Sequence, residues 1–198
     1  ASIKGMNDIS LGNVVGSNIS NLLLVLGLCG LFGNLTTKNK IIERDYRYLL
    51  FSNILLLLFT MIFFISKESN GLITRTNGIM LLGFLCLYLY AIAEDAFKSI
   101  RKKDEIKKMN YKDALYIAIG LFGIILGGEL VVGSATRIAQ MFNISERIIA
   151  LTIVAIGTSL PEIVTSVVAI KKGITDIAIG NVIGSNIFNV FFVLGLSS

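Results

Sequence analysis

The sequence predicts an all-α fold: a polytopic transmembrane helical bundle of six spans, containing parts of two inverted-topology repeats. Three observations predict it. Of the 198 residues, 54% are hydrophobic and only 16% charged, where soluble domains run at about 45–50% and about 25%. Residues 9–37, 48–66, 76–93 and 177–198 hold no charged side chain, and a bilayer-spanning helix needs about 20 mostly apolar residues. The third observation is that one 22-residue segment occurs twice, near the two ends of the chain.

The elements follow in order. Spans 9–33, 47–66 and 72–97 form the later part of a first repeat, residues 1–97. Residues 98–112 make a basic linker. Spans 113–139, 146–171 and 176–198 begin a second repeat, residues 113–198. The fourth and fifth spans carry one acidic group each at midspan, Glu129 and Glu162. A membrane β-barrel would need alternating segments of about 10 residues, and the run Leu55-Leu56-Leu57-Leu58-Phe59 does not alternate.

Charge placement gives orientation. The loops after spans one, three and five hold 13 of the 18 Lys and Arg residues, and the opposite side holds 5. By the positive-inside rule the richer side is cytoplasmic, which puts basic loops 34–47 and 98–112 inside a prokaryotic plasma membrane. The net charge of +5 is then a loop property, and no nucleic-acid partner is expected. Cys29 and Cys86 fall within apolar spans and read as packing residues.

The repeat aligns residues 7–28 with 175–196, with 14 of 22 positions identical. Span one runs inward and span six outward, so one sequence crosses the membrane in both directions. Such inverted repeats are the architecture of secondary transporters, with the substrate near the midplane. Two spans precede the second copy and none precedes the first. The natural protein is therefore expected to carry at least two further N-terminal helices, with this chain as its middle part.

Candidate chemistry sits in Ala155-Ile156-Gly157-Thr158-Ser159-Leu160-Pro161-Glu162. Pro161 lacks an N–H and crowds the carbonyl of Gly157, so the helix should kink or break. Freed carbonyls in hydrocarbon are tolerated only against protein or a polar cavity. The oxygens of Thr158, Ser159 and Glu162 can converge within one turn. A carboxylate, hydroxyls and carbonyls form a hard oxygen site suited to Na⁺ or Ca²⁺. An ionisable group at midspan is itself a sign of function. In span six, Asn181, Ser185 and Asn189 share a helix face, as do Asn13, Ser17 and Asn21 in span one. Ser17, Asn21, Ser185 and Asn189 are expected to coordinate an ion. Asn18 and Asn186 lie off that face and are expected to bond between helices. The Gly12/Gly16 and Gly180/Gly184 pairs read as close-packing positions. Glu129 either lines the ion path or accepts a hydrogen bond from a neighbouring helix. Glu94 and Asp95 are expected at the membrane interface.

GTSLPE followed by GNVIGSNIFN resembles the α-repeat of the cation/Ca²⁺ exchanger superfamily, in particular prokaryotic sodium/calcium exchanger homologues, over the whole chain. The resemblance implies ten helices in two inverted halves, of which these spans are similar to helices three to eight. Flanking helices of the same protein would then be partners. It implies that Glu162 is one of two central glutamates for Ca²⁺ and Na⁺, joined by Ser159, Thr158, the Ala155 carbonyl, Ser185, Ser17 and Asn21. Span four would resemble a gating helix that slides to alternate access. Asn189 stands where aspartate is often found, so the site has one fewer carboxylate.

The expected function is therefore secondary antiport, Na⁺ against Ca²⁺ by alternating access, with H⁺/Ca²⁺ exchange as the alternative. No cofactor is expected beyond the transported ions. An intramembrane serine hydrolase is a weak competitor. Gly16-Ser17, Gly133-Ser134 and Gly184-Ser185 would need an activating base, and the chain has no histidine and no lysine in the interior of a span. A cation channel or non-transporting subunit is the remote third reading.

Overall fold

The computed structural model describes residues 7–37, 40–66, 74–102, 110–144, 146–149, 152–153 and 155–198. Regular structure among them is helical throughout. Helix α1 consists of Asn7–Ser20, a π-helical turn Asn21–Val25, and Leu26–Phe32. Helices α2, Lys40–Ser66, α3, Arg75–Lys102, and α4, Tyr111–Met141, are continuous. Three short pieces follow: α5, Glu146–Ile149, α6, Ala155–Thr158, and α7, Leu160–Lys171. Helix α8 consists of Thr175–Phe188, a π-helical turn Asn189–Leu194, and Gly195–Ser197.

Among the described residues, five helices are long and apolar enough to cross a membrane: Leu11–Phe32, Ile42–Phe63, Arg75–Lys98, Tyr111–Met141 and Thr175–Ser197. The remaining expected span, 146–171, is not one continuous helix. It breaks at Ser159, whose φ of −93° and ψ of 0° leave the α-helical basin. Pro161 then lies in the first turn of α7, where a missing N–H leaves no intrahelical bond unmade. The turn tightens on a bond from the Ser159 N–H to the Ile156 carbonyl, 3.0 Å.

Two boundaries differ from the expected ones. Helix α2 begins at Lys40, inside the stretch read as loop 34–47, and α3 continues to Lys102, past residue 97. The charged residues there end the apolar slab without ending the helix. Glu94 and Lys98, four apart, pair along α3. The rest of the basic linker, 103–109, the loop residues 38 and 39, and Lys4 lie outside the described residues. At the far end of the linker α4 starts with a capping box. The Asn110 side chain accepts from the Lys112 N–H, and the Asp113 carboxylate accepts from the Asn110 N–H at 3.2 Å.

Helix α8 is the hub. It packs on α1, α2, α3 and α7. One core cluster joins Val14, Leu49, Phe59, Leu81, Leu85 and Tyr88 to Ile183, Ile187, Val190, Phe191 and Leu194. A second joins Val25 and Cys29 to Ala169, Ile170, Ala178 and Val182. Cys29 packs as expected, whereas Cys86 is exposed on α3; both are free thiols.

Helices α1 and α8 run antiparallel. Thr37 Oγ1 donates to Asp176 Oδ1 at 2.6 Å, and Thr175 Oγ1 to the Asn34 carbonyl at 3.4 Å, so the end of α1 meets the start of α8. Their middles cross at Asn18 and Asn186. This is the opposed direction that the repeat predicts. Most of α4 is apolar and exposed, and it touches the bundle through α6 and α7. At that crossing a Cβ on Gly157 would overlap the side chain of Val132.

Candidate ion-binding site

Glu162 stands in the first turn of α7, just after the break at Ser159. A helix N-terminus favours a carboxylate there, because unpaired N–H groups and the helix dipole both present positive charge. The Glu162 side chain is partly buried, and its Oε2 is buried with no hydrogen-bond partner among the described residues. An acceptor oxygen left so costs free energy comparable to a lost hydrogen bond, unless a cation or a proton meets it.

Glu162 faces a cleft of about 470 Å³. Helix α8 contributes Gly180, Asn181, Gly184, Ser185, Phe188 and Asn189 to its lining, and α3 contributes Tyr88, Leu89 and Ile92. The carboxylate, the Ser185 hydroxyl and the Asn189 amide therefore share one wall system, with apolar side chains around them. The two expected packing glycines divide in role. A Cβ on Gly180 would approach Ile42 of α2 to 3.3 Å, whereas Gly184 has open space above it and widens the cleft. Asn181 is committed structurally: its Nδ2 donates to Ser166 Oγ at 3.0 Å and to the Glu162 carbonyl at 3.4 Å. That bond ties α8 to the turn that carries the carboxylate.

On the other side of the break, Ser17 and Thr158 are hydrogen-bonded at 3.0 Å. This brings α1 against α6. Ser17 and Ser159 are buried, at 7% and 1% exposure. Ala155 opens α6, one turn before Ser159. Asn21 is 1% exposed, and its Oδ1 is a second buried oxygen without a hydrogen-bond partner among the described residues.

The asparagines of the two repeats form a reciprocal knot. Asn18 Nδ2 donates to the Asn186 carbonyl at 3.4 Å, and Asn186 Nδ2 to the Asn18 carbonyl at 3.3 Å. Asn21 Nδ2 donates to Asn186 Oδ1 and Asn189 Nδ2 to Asn18 Oδ1, both at 2.9 Å. The interhelical bonds expected of Asn18 and Asn186 are present. Their exchange symmetry, and the π-helical turns that open at Asn21 and Asn189, were not readable from spacing. π-turns occur frequently at functional sites.

The eight expected ligand residues thus fall into three contiguous groups: Glu162, Ser185 and Asn189 at the cleft; Ser17, Thr158, Ser159 and Ala155 at the helix break; and Asn21 in the knot. Tyr88 was missed, because an aromatic residue in an apolar span carries no sequence signal for a polar site. Glu129 lies exposed on α4, away from the cleft lining. No group of three or more His, Cys, Asp or Glu gathers among the described residues. The donors are one carboxylate surrounded by neutral oxygens.

Residues 1–93 and 112–198 match the family of sodium/calcium exchanger proteins. The inner membrane protein YrbG of Escherichia coli K12 is 35% identical over 207 residues, covering 99% of this chain and 61% of that protein. The putative antiporter CaxA of Alkalimonas amylolytica is also 35% identical, covering 100% of this chain and 62% of that protein. A structure of the sodium-calcium exchanger NCX_Mj, soaked with Na⁺ and Sr²⁺, superposes with a TM-score of 0.78 at 32% identity, covering 97% of this chain and 60% of that one. This chain spans about three fifths of the length of each of these proteins. With two inverted helices crossing at an asparagine knot and a broken helix carrying a partly buried glutamate, the chain belongs to the sodium/calcium exchanger family.

Proposed function

We propose that the full-length protein is a secondary active cation antiporter that exchanges Na⁺ for Ca²⁺ by alternating access around Glu162. The observation that carries this reading is the buried Oε2 of Glu162, without a hydrogen-bond partner among the described residues, on a broken helix and in a cleft shared with Ser185 and Asn189. The family match supports the ion pair.

The chemistry follows from the donors. Carboxylate, hydroxyl and amide oxygens are hard ligands that suit Ca²⁺ and Na⁺. Glu162 supplies the formal negative charge, and Ser185, Asn189, Asn21, Ser17, Ser159, Thr158 and the Ala155 carbonyl supply neutral oxygens. One carboxylate serves both cations, so occupancy by one excludes the other, and this exclusion couples their fluxes. The break at Ser159 separates the Glu162 turn, the first of α7, from the helix that precedes it. H⁺ in place of Na⁺ is the second reading. It rests on Glu162 being, among the described residues, the only carboxylate on the cleft wall.

Proteoliposomes loaded with Na⁺ and given external radioactive Ca²⁺ test both. Uptake that needs internal Na⁺ and disappears in Glu162→Gln supports Na⁺/Ca²⁺ exchange. Uptake driven by an H⁺ gradient without Na⁺ transfers the coupling role to the proton. Unchanged Ca²⁺ uptake in Glu162→Gln refutes the site.

A further inference from the structure

We propose that Asn18 and Asn186 are positioning residues for the ion site: by holding the amide nitrogens of Asn21 and Asn189, they aim the oxygens of those two side chains at the cation. This rests on the site assignment above and extends it to residues that touch no ion.

An asparagine side chain presents an acceptor at one end and a donor at the other, and a free one can flip between them. A flipped amide would turn N–H donors toward a cation. Asn186 prevents this for Asn21 by accepting its Nδ2 at 2.9 Å. Asn18 does the same for Asn189, again at 2.9 Å. Each holder is itself immobilised, because its own Nδ2 donates to the partner's backbone carbonyl across the crossing. The Asn186 carbonyl also keeps its helical bond to the Asn189 N–H, so both of its lone pairs are used. Asn18, Asn21 and Asn186 are 6%, 1% and 0% exposed, which removes water as a substitute partner. With its nitrogen fixed, the Asn21 oxygen is the end left over, and it is buried without a hydrogen bond among the described residues. The π-turns open at the two held residues, Asn21 and Asn189, so both halves present the held amide at the same register.

The test measures Ca²⁺ binding to the purified full-length protein by calorimetry. Asn186→Leu keeps the number and branching of the side-chain heavy atoms and removes the acceptor. It should weaken Ca²⁺ binding by about 10- to 100-fold, the usual effect of losing a partner that orients a metal ligand. Asn186→Asp keeps the acceptor for Asn21 and should restore binding to at least within about threefold of wild type. A purely structural role for Asn186 would leave the two variants equally impaired. If Asn186 acts through Asn21, the double variant Asn21→Ala/Asn186→Leu binds no worse than Asn21→Ala alone. Full additivity overturns the proposal. Should Asn186→Leu fail to fold, Asn18→Leu, which frees the Asn189 amide instead, repeats the test: weakened Ca²⁺ binding supports the proposal and wild-type affinity overturns it. Glu162→Gln serves as the separate arm. Unchanged binding there overturns the site assignment itself, whereas lost binding there with wild-type affinity in Asn186→Leu overturns only the positioning role.

Discussion

Replacing Arg44 tests how the cleft wall is held. Arg44 lies on α2, and its guanidinium reaches three acceptors. It pairs with Asp45 at 2.6 Å, with Asp95 of α3, and with the Ala91 carbonyl of α3 at 3.0 Å. Ala91 is one turn from Tyr88 and adjacent to Ile92, both of which line the cleft. The side chains of Arg44 and Asp45 are 14% and 11% exposed, and that of Asp95 is 35% exposed. Removing one partner of a fully buried pair costs about 3–5 kcal/mol. The Asp95 contact is partly hydrated and belongs nearer the exposed-pair value of about 0–1 kcal/mol. Arg44→Met should therefore cost about 2–3 kcal/mol, chiefly by stranding Asp45. For a chain of this size that lowers the melting temperature by about 4–12 °C. Arg44→Met/Asp45→Asn should recover most of the loss, because the stranded charge is gone. The assay is thermal unfolding of the purified protein in detergent, followed by circular dichroism. A shift below about 2 °C in Arg44→Met would refute the reasoning, as would a double variant less stable than the single one.

Two further predictions concern the helix break and the charge of the cleft. Gly157→Ala places a methyl on Val132 of α4 and should destabilise by about 1–3 kcal/mol, as overpacking does; adding Val132→Ala should restore the melting temperature. Asn189→Asp brings a second carboxylate to the cleft and should tighten Ca²⁺ binding by at least about tenfold, since ligand charge count tunes Ca²⁺ affinity. Unchanged or weaker binding by calorimetry would remove Asn189 from the ion site.

The sequence carried the membrane class, the repeat and the break. Uncharged runs mark what must sit in hydrocarbon, the repeated segments mark the opposed helices, and Pro161 marks where a helix cannot continue. Helix ends were less legible. At Lys40–Tyr46 and Lys98–Lys102 charge marks the end of the apolar slab, while the backbone goes on bonding to itself. Ser185 and Asn189, spaced by four and so on one face of α8, line the same cleft as Glu162. The direction of the Asn21 amide was beyond reach, since it depends on Asn186, 165 residues away. The Arg44 cluster escaped for the same reason: its Asp95 and Ala91 contacts are made between helices, and a lone arginine before a span reads as an ordinary loop charge.

Helix α4 has 31 residues, about 46 Å of rod at 1.5 Å per residue. The hydrocarbon slab is about 30 Å thick. Such a rod lies oblique or protrudes, and either way it has axial slack. A shift of one helical turn, about 5.4 Å, would keep Glu129 as the one charged side chain of α4 in the slab. Its contact with the bundle is narrow, through α6 and α7 beside the glutamate-bearing turn. A displacement of α4 along its own axis would therefore bear on the segments flanking Ser159 while disturbing little of the remaining core.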